Sequence, residues 1–170
     1  RPDQRQSNDL PLNYEATQAF LHMDKAFGGL EFSHVEISWS DNVAEDSADI
    51  LRVVTAVDDV LAEETLIGHP LSIRNLIDAQ PGSGPPEERM TLMELLPPPL
   101  KRAFFEPERR RATVTFRVQD LGIAKYGPVF ERVEQRLIRI RQEYPDFHLE
   151  LGGSAVWRWR NLYQIVVDLA

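Results

Sequence analysis

Ala112-Thr113-Val114-Thr115-Phe116-Arg117-Val118 alternates apolar and polar residues without a break. A period of two marks a strand with one buried face. Asp120-Leu121-Gly122 closes it as a turn. Downstream the period changes: Phe130, Val133, Leu137, Ile140 and Tyr144 recur at spacings of three and four, with arginines and glutamates opposite. That pattern predicts a helix over about 128–144 with one apolar stripe. Pro145-Asp146 ends it. Phe147, Leu149 and Leu151 then alternate with His148 and Glu150 as another half-buried strand.

The same order stands upstream. Val35, Ile37 and Trp39 alternate with His34, Glu36 and Ser38, and Ser40-Asp41-Asn42 reads as a turn that offers helix caps. A helix over about 44–64 follows, with Ile50, Val53, Val54, Val57, Val60 and Leu61 inward and Asp49, Arg52, Asp58, Asp59 and Glu63 on the solvated side. Leu66-Ile67 reads as a short strand. Two strand–helix units with matching apolar faces predict an α+β fold, a ferredoxin-like split βαβ sandwich with both helices on one sheet face. Between the units lies an insertion at about 70–108. It holds a turn or two of helix at 72–77, a Gly/Pro loop at 80–86, and a helical pattern at 87–96 that Pro97-Pro98-Pro99 interrupts and 100–105 resumes. The expected organisation is an N-terminal arm and helix at 1–29, the sandwich domain at 30–152, and a terminal helix at 153–170.

Composition narrows the function. The chain has 170 residues, 42% apolar and 27% charged, with a net charge of −8. An acidic balance argues against nucleic acid as a partner. Without cysteine there are no disulfides, thiolate nucleophiles or cysteine-ligated metals. The four histidines, His22, His34, His69 and His148, never fall at ligand spacing, so no metal and no cofactor are expected. No serine sits in a nucleophile elbow, and Gly152-Gly153-Ser154 reads as a tight turn before a helix. Catalytic residues are expected to be none, and the chain is read as non-enzymatic. Arg109-Arg110-Arg111 before the 112–118 strand matches the basic start of an RNA-binding strand. Yet its one aromatic, Phe116, lies on the apolar face, where it cannot stack bases.

At the far end, Val156-Trp157-Arg158-Trp159-Arg160 leads into Asn161-Leu162-Tyr163-Gln164-Ile165-Val166-Val167-Asp168-Leu169-Ala170. Tryptophans interleaved with arginines before an apolar run suit a helix meeting a lipid headgroup layer, although arginines on the outer side run against the positive-inside tendency. Trp157, Arg158, Trp159 and Arg160 are therefore the expected membrane-interface residues, with the core as the competing place for both tryptophans. The chain is read as a piece of a longer membrane protein, with 155–170 helical and leading toward a transmembrane span. No stretch here reaches the roughly 20 apolar residues a span needs.

Taken together, several stretches resemble the extracytoplasmic porter-type loop of the resistance–nodulation–division (RND) superfamily, especially its MMPL-like predicted exporters. They are Asp9-Leu10-Pro11 with the helix ending at Phe27-Gly28-Gly29, the Val35-Glu36-Ile37 strand, the stretch at 111–122, and Leu151-Gly152-Gly153-Ser154-Ala155 before the terminal helix. The likeness lies in the order of elements over nearly the whole chain, not in one specific motif. It implies transport at the inner (cytoplasmic) membrane of a bacterium, with this domain on the periplasmic side. The implied partners are the rest of the same transporter chain, its paired extracytoplasmic loop and a hydrophobic or lipid-like substrate; a homo-oligomer is compatible. Proton-relay carboxylates of such exporters lie in membrane helices, so none is assigned here. Met90, Met93, Leu96, Phe104 and Phe105 are the expected substrate contacts, since methionine-rich apolar surfaces adapt to cargo; the competing reading is that they cap the core. A reading of another class is a free-standing ferredoxin-like regulatory domain that binds a ligand or partner.

Overall fold

Each long strand carries one apolar row, and burying those rows sets the layering. The computed structural model describes residues 31–118 and 123–169; the expected arm and helix at 1–29 and the turn at 120–122 lie outside them. In chain order the elements are β1 (Glu31–Trp39), α1 (Ala48–Ala62), β2 (Ile67–Leu71), α2 (Ile73–Asp78), α3 (Pro86–Arg89), a 3-10 turn (Met90–Leu95), α4 (Pro98–Arg102), β3 (Phe105–Glu106), β4 (Arg111–Val118), α5 (Ile123–Glu143), β5 (Phe147–Gly153) and α6 (Ser154–Leu169). The fold is α+β.

All strand pairs are antiparallel, in the order β2-β4-β1-β5. The two-residue β3 joins the start of β4 through Phe105 opposite Ala112. β1 is central: Val35 faces Val114 on one side and Leu151 on the other. Because side chains alternate across a sheet, Val35, Ile37, Trp39, Val114, Phe116, Leu149 and Leu151 fall on one face, and all are buried. α1 and α5 cover that face, supplying Ile50, Val53, Val57, Phe130 and Val133 to the same core. They also meet each other, with Arg132 Nη2 2.5 Å from Glu64 Oε1 and Arg136 paired with Glu63. The opposite face, with His34, Glu36, Thr113, Arg117, His148 and Glu150, keeps contact with solvent.

Two helix boundaries differ from expectation. α1 begins at Ala48 because the Ser47 hydroxyl accepts the Asp49 N–H at 3.2 Å and acts as the cap. α5 begins at Ile123, so Pro128 lies inside the helix instead of opening it. Packing outweighs the lost hydrogen bond: Tyr126 stacks on Phe130 at 5.6 Å, and a Cβ on Gly127 would sit 3.4 Å from the Trp159 indole nitrogen. Asp58 is a correction. Expected on the solvated side, it is buried, because α2 folds across α1. The Ser72 hydroxyl donates to Asp58 Oδ2 at 3.4 Å, and Arg74 bridges it to Asp59 and Asp78.

β5 ends in a close approach to β1. Gly153 has φ +109°, and a Cβ there would lie 2.6 Å from Ser33 Cα. Only glycine fits on both counts. Gly153→Ala is expected to destabilise the domain by more than about 1 kcal/mol through backbone strain, as read by urea denaturation. Phe116→Ala, which empties a fully buried site, should cost about 3–5 kcal/mol.

Candidate functional site

The junction of β5 with α6 gathers the residues expected at a membrane interface. α6 starts directly after Gly153, with the Ser154 hydroxyl 3.3 Å from the Phe32 carbonyl oxygen that accepts from it. Its 3.6-residue period separates the two tryptophans. Trp159 is 8% exposed and packs on Phe130 with ring centroids 5.4 Å apart. Trp157 points outward and is 66% exposed. Trp159 thus takes the core place and Trp157 the exposed one. Arg158 is half-buried. Arg160 lies over the Trp159 ring at 5.9 Å, donates to the Leu151 carbonyl at 3.0 Å and pairs with Glu134. Farther along α6, Ile165 and Leu169 are exposed apolar residues. No helix among the described residues is long and apolar enough to cross a membrane.

Beside Trp157 a shallow cleft opens onto the sheet face opposite α1 and α5, lined by His34, Glu36, Glu150, Gly152 and Arg160. His34 and His148 share this face as expected from their strand positions, but His34 stands opposite Gly152 and His148 opposite Ser38, four residues apart along each strand. Charge on the face is largely paired. Arg111 Nη2 donates to Glu106 at 2.8 Å while its Nη1 lies 3.6 Å from Glu36, and the Arg111 bond holds the Glu106 carboxyl below its usual range. Arg117 stacks over exposed Phe32 at 5.0 Å. Phe32 falls on the polar row of β1 with His34 and Glu36, where no apolar period marks it. Among the described residues no group of three or more His, Asp or Glu is placed to hold a metal ion. Two exposed rings, Phe32 and Trp157, flank these paired charges.

The insertion turns its expected substrate contacts inward. Met90, Met93, Leu96 and Phe105 are buried in the core, and Phe104 packs half-buried against it. Phe105 lies 6.2 Å from Trp39, ring to ring. Past β2, the exposed large apolar residues of this segment are Leu95, 71% exposed, and Leu100. The insertion is tied down by Arg89, which donates to the Ile77 and Gly82 carbonyls at 2.7 and 2.9 Å, and by an Arg52–Glu87 pair.

Compared with known proteins, the chain matches no protein-family model, no curated protein and no solved structure.

The two tryptophans should separate by stability. Trp159→Ala should cost about 3–5 kcal/mol, whereas Trp157→Ala should stay within about 0.5 kcal/mol, both by thermal melts. Asp58 gives a pH test. Desolvation raises its carboxyl above the ordinary value, against the pull of Arg74. A carboxyl with a raised folded-state pKa contributes stability below its unfolded value, and loses it as pH rises through the folded one. Asp58→Asn should therefore remove one contribution that lowers the melting temperature as pH rises from acid to neutral; an unchanged pH slope would exclude this role for Asp58.

Proposed function

We propose that this chain is an extracytoplasmic, non-enzymatic domain of an RND-type exporter, set on the periplasmic side of a bacterial inner membrane. In this reading it passes hydrophobic or lipid-like substrate while ion flow through membrane helices outside this chain drives its motion. Its sheet and helices are read as a ferredoxin-like split βαβ sandwich. Support comes from the two units β1-α1-β2 and β4-α5-β5, whose strands interleave in the order β2-β4-β1-β5, with α2 to β3 inserted between them.

One observation carries the reading. The chain joins the sheet and leaves it side by side, at one end of the domain. Ser33 and Gly153 are paired neighbours, and the Ser154 hydroxyl bonds to the Phe32 carbonyl. A loop held between two adjacent membrane helices needs its ends close together. From that end α6 leaves with Trp157, Ile165 and Leu169 exposed, a composition suited to the layer where lipid headgroups meet hydrocarbon. Cargo contact on the insertion falls to Leu95 and Leu100, the apolar side chains that face outward there.

The gene supplies the test. Translation beyond residues 1 and 170 should give an apolar run of roughly 20 residues close to each end. A polar continuation or a stop at either end would remove the exporter reading and favour the free-standing regulatory domain. Within the transporter, Leu95→Asp with Leu100→Asp should reduce binding of a lipid-like fluorescent probe; unchanged binding would place the cargo contact elsewhere.

A further inference from the structure

Three hydrogen bonds fix which way the outer edge of β5 faces. The Ser40 N–H donates to the Asp146 carbonyl at 3.0 Å, so Asp146 turns its backbone polar groups toward β1. Successive residues alternate in an antiparallel strand, so Phe147, Leu149 and Leu151 turn theirs away. Two bonds agree: the Phe147 N–H donates to the Tyr144 carbonyl at 3.0 Å, and Arg160 donates to the Leu151 carbonyl at 3.0 Å. β5 is last in the sheet order, and among the described residues no strand lies along that edge. From Phe147 to Leu151, the groups left facing outward are the N–H and C=O of Leu149, the N–H of Leu151 and the C=O of Phe147.

A second copy related by a two-fold axis at Leu149 would satisfy all of them. In an antiparallel pair centred there, each Leu149 N–H meets the other copy's Leu149 carbonyl, and each Leu151 N–H meets the other copy's Phe147 carbonyl. The remaining bond of such a ladder joins the Phe147 N–H to the Leu151 carbonyl. Those two groups are the ones each subunit already satisfies by itself.

The side chains follow the same symmetry. On the open sheet face, exposed His148 would stand opposite Glu150 of the second copy, and Glu150 opposite its His148. On the helix face, a groove of about 290 Å³ between α5 and the β5 edge is lined by Glu134, Ile138 and Arg141. Glu134 and Arg141 are seven residues apart, two turns or about 10 Å along one side of the helix. Ile138 lies near their midpoint and is 38% exposed. Reversing one helix against another sets Glu134 opposite Arg141 in both directions, with Ile138 meeting its own copy between them. Such self-complementarity is what an isologous contact requires.

We propose that the outer edge of β5 is a homodimer interface, in which two copies pair antiparallel about Leu149 into one continuous sheet, flanked by crossed Glu134–Arg141 and His148–Glu150 contacts. The proposal does not depend on the exporter reading. It also gives an open, regular edge strand a partner, where such an edge would otherwise invite unspecific pairing.

Sedimentation equilibrium of the 170-residue chain from micromolar to millimolar concentration tests it. The expected result is a reversible dimer. Ile138→Asp places two carboxylates near the two-fold axis and should weaken that dimer by more than about tenfold, with the thermal melt of the dilute monomer preserved because Ile138 is a surface residue. Since the chain has no cysteine, Ile138→Cys should yield an oxidised covalent dimer, and Leu95→Cys on the insertion should not. A monomer throughout the range, or a dimer indifferent to Ile138→Asp, overturns the proposal. So does a monomer whose Leu149 and Leu151 amides resist hydrogen exchange, which would assign the edge to another segment of this chain.

Discussion

β1 is held on three sides, and the rest of the molecule is arranged around that confinement. β4 takes one edge over eight residues and β5 takes the other over seven, while α1 and α5 cover its apolar face. At the last pair of β1 with β5, Gly153 leaves no room for a side chain above Ser33. The contact fixes the register of β5 against β1. Since a slip of one residue would turn Leu149 and Leu151 out to solvent and His148 and Glu150 into the core, the close approach and the hydrophobic pattern enforce one pairing. It also fixes where α6 begins, and so the position of Trp157 beside the open face and of Trp159 under Phe130.

The insertion depends on the same core in a different way. Its helices are too short to be stable alone, and prolines at 97, 98 and 99 prevent a longer one. It persists by donating Met90, Met93, Leu96 and Phe105 to the space at the side of the sheet, where Trp39 packs between Phe105 and Phe147 at 6.2 and 6.0 Å. The residues that looked adaptable are spent on packing, which leaves Leu95 and Leu100 as its outward apolar contacts. Asp58 shows a cost of the same closure: α2 covers a carboxylate whose charge then leans on Arg74 and Ser72.

The strands were legible because a period of two over five or more residues has few competing readings, as at 112–118 and 147–151. α1 and α5 were legible from their apolar stripes, although their starts were not. Ser47 caps α1 through a side-chain bond that a run of polar residues does not single out, and Pro128 looked like a helix start because its role depends on Gly127 meeting Trp159 across space. The candidate site was less legible for the same reason. Whether Trp157 or Trp159 faces the core follows from the exit angle of α6, which the glycine turn sets. The inward turn of Met90 and Met93 follows from short-helix packing without a clean period. Phe32 and Ile138 carry no pattern at all until the sheet shows which surfaces are free.

The central claim is that α6 lies at a membrane surface while the sheet stands clear of it. The most direct measurement is quenching of Trp157 fluorescence by lipids brominated at defined depths, in the bilayer-held transporter that the proposal implies, with every other tryptophan, Trp39 and Trp159 among them, replaced by phenylalanine. The account predicts strongest quenching by bromines near the headgroups. Trp157 that is untouched by brominated lipid, and quenched instead by aqueous iodide, would contradict it.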